Sequence, residues 1–124
     1  MSSSVIVAEL KNLFSTDADP LQAFQPEGDF GIYIFALVGP AGQQGEESFG
    51  FTLCTPRWFA ENMKDEFVLG RHYIFVREYD YALLEKFVRG YCKQCTGTSW
   101  SDVAQKVGRL GHWEFEDYKP HKPA

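Results

Sequence analysis

Residues 30–38 and 48–55 each carry apolar side chains at a two-residue period, and a linker with three glycines and one proline, residues 39–47, separates them. A two-residue period describes a β-strand and excludes an amphipathic helix. Two such strands joined by a long, flexible linker pair as an antiparallel hairpin. In the first, Phe30, Ile32, Ile34 and Val38 occupy one face and Tyr33, Phe35 and Leu37 the other. Apolar residues on both faces predict a strand covered on two sides, interior to a sheet. In the second, Phe49, Phe51 and Leu53 oppose Ser48, Gly50 and Thr52, so one face is expected to be buried.

The rest of the chain is arranged around that hairpin. Residues 5–10 read as a strand with Ile6, Ala8 and Leu10 on one face. Residues 15–28 are polar, and Asp19-Pro20 is expected to start a single helical turn. Thr55-Pro56 opens a helix with threonine as N-cap, anchored by Trp58, Phe59 and Met63. Residues 71–79 are expected to form another two-sided strand. Asp80 caps a helix whose apolar stripe is Leu83, Leu84, Phe87, Val88 and Tyr91. Gly97 marks a break. Ser99 and Asp102 form an acidic capping box for a last helix with the stripe Trp100, Val103, Ala104, Val107 and Leu110, ended by Gly111. Residues 113–118 alternate again as a closing strand. Early strands and late helices predict an α+β fold: a mainly antiparallel sheet of about four to five strands packed against two to three helices. One domain is expected over residues 1–118, with a mobile tail at 119–124.

The net charge of −5 argues against a nucleic-acid binder, because Lys64, Arg71, Arg77 and Lys86 are scattered singly. An acidic surface suits a basic protein partner. No segment is long and apolar enough to span a bilayer, and the first residues lack a signal-peptide pattern, so a cytoplasmic location is expected.

Cys92-Lys93-Gln94-Cys95 is a C-x-x-C, a spacing that serves redox pairs and half zinc sites. Cys54, His72, His112 and His121 are possible further ligands, but none has paired spacing, and the C-x-x-C falls at the end of a helix rather than the start. No nucleophile elbow, phosphate loop or zinc-protease motif occurs. No cofactor, no metal and no catalytic set are therefore expected. The alternative is a small metal-binding or thiol-dependent enzyme using Cys92, Cys95 and a histidine. A third reading is a subunit that self-associates through an exposed strand edge.

Surface recognition is better supplied. Glu46 and Glu47 end the flexible linker, and as neighbours in an extended chain they point to opposite faces. In residues 113–118, Trp113 and Phe115 are expected in the core, while Glu114, Glu116 and Tyr118 face outward beside Asp117. Glu46, Glu47, Glu114, Glu116 and Asp117 are the expected contacts to a basic partner, with Trp58 and Tyr118 as aromatic anchors.

Five motifs occur in order: Gly45-Glu46-Glu47-Ser48-Phe49, Cys54-Thr55-Pro56-Arg57-Trp58, Gly70-Arg71-His72-Tyr73, Glu78-Tyr79-Asp80 and Gly111-His112-Trp113-Glu114-Phe115. Together they resemble the immunity protein 8 (Imm8) family, across roughly residues 5–118. Members are encoded beside bacterial polymorphic toxins and protect the producing cell. The resemblance implies a cytoplasmic inhibitor that binds and blocks a cognate toxin. It supplies no catalytic set and no established binding residues.

Overall fold

The computed structural model describes residues 4–116. Three long strands form its centre: β1 (Ile6–Phe14), β2 (Gly31–Pro40) and β3 (Glu47–Cys54). β2 pairs antiparallel with both neighbours, from Gly31↔Cys54 to Val38↔Glu47 on the β3 side. α1 (Pro56–Asn62) follows β3 and leads to β4 (Tyr73–Phe75), which pairs parallel to β3. α2 (Tyr81–Lys93), β5 (Thr96–Gly97), α3 (Trp100–Val107) and β6 (His112–Trp113) complete the order. The sheet runs β4-β3-β2-β1-β5, with β6 also paired to β3. The fold is α+β, with one parallel pairing among otherwise antiparallel ones.

Because β2 occupies one side of β3 along its length, β4 and β6 must share the other. β6 meets Phe49 and Gly50, and β4 meets Thr52 to Cys54. One sheet edge is thus built from two short strands placed end to end.

The core lies between the sheet and α2 and α3, which both pack on β1. Ala8, Leu10, Ile32, Ile34, Val38, Phe49, Phe51 and Leu53 are buried from the sheet side. Leu84, Val88, Cys92, Val103, Ala104 and Val107 meet them from the helices. A bulge between Leu10 and Asn12 shifts the parity of β1, so Leu13 also points inward.

Several local expectations are corrected. β2 is interior to the sheet, but only one of its faces is buried. Tyr33 is exposed and Phe35 and Leu37 are half-buried on the other, where Phe14 stacks on Phe35 at 5.3 Å. Among the described residues, α1 is the helix that packs on that face, at one end. There the Trp58 indole lies over Gly31, where a Cβ would collide with the ring. α1 itself buries no residue; Trp58 and Phe59 are half-buried, and Met63 lies beyond the helix end and is exposed. Thr55 takes the N-cap position, but its hydroxyl accepts from Phe30 N at 3.3 Å instead of capping. The turn expected at Asp19-Pro20 is a 3-10 helix at Leu21–Ala23, with Pro20 as N-cap after a cis peptide bond.

The strand expected at 71–79 shortens to Tyr73–Phe75. His72 sits at φ 64, a left-handed conformation that breaks an extended chain on one side. On the other, Tyr79 turns away to pack edge-on against Phe24 and Phe30. Asp80 and Ser99 cap α2 and α3 as expected, accepting from Leu83 N at 3.1 Å and Asp102 N at 3.2 Å. The buried stripe of α2 is Leu84, Val88 and Cys92, whereas Leu83 and Phe87 are 64% and 53% exposed. α3 ends at Gly108, three residues before the expected glycine. Gly111 has another role: a Cβ there would sit 3.0–3.2 Å from the backbone of Phe49 and Gly50, so its hydrogen lets the chain close onto β3. The closing strand is only His112–Trp113, followed by a turn. Trp113 is half-buried and stacks on Phe49, but Phe115 is exposed, not a core residue. Asp117, Tyr118, His121 and the 119–124 tail lie outside the described residues.

Candidate functional site

Most of the expected contact residues meet at the β6 end of the β4/β6 edge. Glu47 is the first residue of β3, and the strand's parity turns it to the same face as Phe49, beneath α3. Its Oε1 accepts from Trp100 Nε1 at 2.7 Å and from Trp113 Nε1 at 2.9 Å. One half-buried carboxylate therefore ties α3, β6 and β3 together. Glu46, one residue earlier, is exposed in the linker. Glu114 clamps the start of β3: its Oε1 accepts from Ser48 N at 2.7 Å, and its own N–H donates to Ser48 O at 3.1 Å. Glu116 lies 3.7 Å from His72 Nε2 and 3.8 Å from an Arg71 guanidinium nitrogen.

Trp58 does not join this group. Its indole covers Gly31, which pairs with Cys54, at the far end of β3 from Glu47. At a strand rise of about 3.3 Å per residue, the two lie roughly 23 Å apart along the sheet.

Between the end of α3 and the turn after β6 is an open cleft of about 750 Å³, bordered by Arg71, His72, Arg109, Trp113, Phe115 and Glu116. The His72 ring packs edge-on against His112, with centroids 5.6 Å apart. His72 Nε2 lies 2.7 Å from Gly108 O. A carbonyl oxygen only accepts, so Nε2 is the donor in this contact. Among the described residues, no group of three or more His, Cys, Asp and Glu is placed to hold a metal ion.

The thiols are placed against nucleophilic use. Cys54, Cys92 and Cys95 are free and buried. Burial pushes Cys92 up from 9.0 to about 12 and raises Cys54 and Cys95 as well. A reactive cysteine needs its thiolate stabilised, the opposite shift. Cys92 belongs to the inward stripe of α2, where it packs as a small apolar residue.

Leu83 and Phe87 belong to the apolar stripe expected for α2, yet they face solvent beside Phe75. The signal was present in the width of the apolar arc, which exceeds the single line Leu84-Val88-Cys92 that the sheet covers.

No helix among the described residues is long and apolar enough to cross a membrane. No curated protein and no solved structure matches the chain significantly. The profile of one family, described as Immunity protein 8, matches residues 8–118, nearly the whole chain. The matched span includes most of β1, all of β2 and β3, α1 to α3 and the β4/β6 edge, and the chain belongs to the Immunity protein 8 (Imm8) family.

Proposed function

We propose that this chain binds a cognate bacterial toxin and neutralises it by protein–protein contact in the cytoplasm of the producing cell, with no chemistry of its own. The carrying observation is the family match over residues 8–118. The geometry supports it from the other direction: the thiols are turned into the core, and Nε2 of His72 is engaged by a backbone carbonyl.

A basic toxin surface would suit the net charge of −5. Glu46, Glu114 and Glu116 are the proposed first contacts, all near the β6 end of one sheet edge. Asp117 and Tyr118 are proposed as further contacts. Glu47 contributes chiefly by holding it in place, and Trp58 would serve a toxin that reaches the far end of the sheet.

The test is bacterial co-expression. The toxin gene is induced alone and together with this chain, growth is followed, and the pair is co-purified. Relief of killing with a recovered complex is the expected result. Toxicity with neither rescue nor complex would overturn the proposal. Charge reversal at Glu46 and Glu114 should slow association and weaken its salt dependence; if both stay at wild-type values, the acidic strip is not the contact.

A further inference from the structure

Eleven large hydrophobic side chains are exposed among the described residues, and seven of them lie between residues 63 and 87. Scattered exposed hydrophobics need no explanation, but a concentration in one stretch of chain does. The stretch surrounds β4. On one side Phe59 of α1 packs on Tyr73 and Phe75 at 5.0 and 5.3 Å. Beyond α1, Phe67 and Leu69 are 91% and 88% exposed. On the other side, β4 and α2 enclose a groove of about 310 Å³, lined by Phe75, Val76, Leu83 and Phe87 together with the acids Glu78 and Asp80.

β4 is also the last strand of the sheet path. In its parallel ladder His72 O accepts from Thr52 N at 2.9 Å, and Val76 N donates to Cys54 O at 3.0 Å. Parallel pairing alternates along a strand, so the N–H and C=O groups of Tyr73 and Phe75 face away from β3. At three residues β4 is a short edge strand, itself a device that limits edge pairing, but Tyr73-Ile74-Phe75 carries no lysine, proline or bulge to block it.

We infer that the β4 edge and its groove accept an extended segment of the toxin as an added strand, with apolar side chains against Leu83 and Phe87 and a Lys or Arg facing Glu78 and Asp80. The inference rests on the immunity reading and deepens it. Strand addition takes affinity from backbone bonds and specificity from side-chain pockets beside the edge, and both are present here. The acidic strip and this groove lie along the same sheet edge, one suited to steering a basic partner and the other to holding it.

Backbone amide exchange, measured on the full chain alone and bound to the co-expressed toxin, tests the inference. The amides of Tyr73 and Phe75 should exchange at least about tenfold more slowly in the complex. Leu83→Ser with Phe87→Ser should weaken the complex by about 30-fold or more. An unchanged urea midpoint would show that the double variant is folded. A complex in which Tyr73 and Phe75 exchange at the free rate, or one that the double variant forms as well as wild type, overturns strand addition and leaves the immunity reading intact. Protection of these amides in the free chain, with a doubled mass by light scattering, overturns it in favour of self-association. Failure of the wild-type chain to rescue or bind overturns both.

Discussion

Replacing Glu47 should destabilise the fold more than its place at a loop end suggests. Its Oε1 is the acceptor for two indole N–H groups, from Trp100 at 2.7 Å and Trp113 at 2.9 Å. Glu47→Ala leaves both donors without that partner. A hydrogen bond to a charged group contributes about 1.5–3 kcal/mol. Both indoles are half-buried, so water can replace part of the loss, and the lower figure applies to each. The expected cost is about 3 kcal/mol. Unfolding entropy of about 2.1 cal/mol/K per residue makes 1 kcal/mol worth about 4 °C for a chain of 124 residues, so Tm should fall by about 12 °C. Glu47→Gln keeps an acceptor oxygen but loses the charge, and should cost about half as much. Thermal unfolding followed by circular dichroism gives the magnitude. Indole N–H resonances give the cause: those of Trp100 and Trp113 should move while that of Trp58 stays. A loss below about 0.5 kcal/mol, or unmoved Trp100 and Trp113 resonances, would refute the reasoning.

Phe51→Ala should cost about 3–5 kcal/mol in urea unfolding, because a fully buried ring is lost from the middle of β3, whereas Leu83→Ala should stay within about 0.5 kcal/mol. Asp80→Ala and Ser99→Ala each remove a helix cap and should cost about 1 kcal/mol, read as a shifted urea midpoint with an unchanged slope. Gly111→Ala should destabilise measurably, since the new methyl group meets the β3 backbone at 3.0–3.2 Å and neither backbone can yield without disturbing the pairing with β6. Cys92 predicts an alkaline effect. Below pH 9.0 its thiol is protonated folded and unfolded alike. Between 9.0 and about 12 the unfolded chain ionises and the folded chain does not, so stability falls as pH rises through that window. Cys92→Ala should show a shallower fall between pH 8 and pH 10.5 in chemical denaturation, and an unaltered slope would remove Cys92 as a cause.

The central hairpin, the α+β class and the caps at Asp80 and Ser99 were legible in the sequence because each depends on neighbours within a few residues. Side-chain alternation in 30–38 and 48–55 is a local property, and so is a serine or aspartate three residues before the N–H it accepts. The resemblance to the Imm8 family was legible for a different reason, the order of five short motifs along the chain. Tertiary structure decided which apolar residues are covered. Leu83 and Phe87 look like Leu84 and Val88 in sequence, yet the sheet is narrower than the apolar arc of α2 and reaches only one line of it. β5 and β6 have two residues each, too short for any periodicity to show, and exist only because β1 and β3 offer backbone partners. Glu47 read as a free acid at a loop end. Its partners stand 53 and 66 residues further along the chain, and only the packing of α3 and β6 against β3 brings two indoles to one carboxylate oxygen.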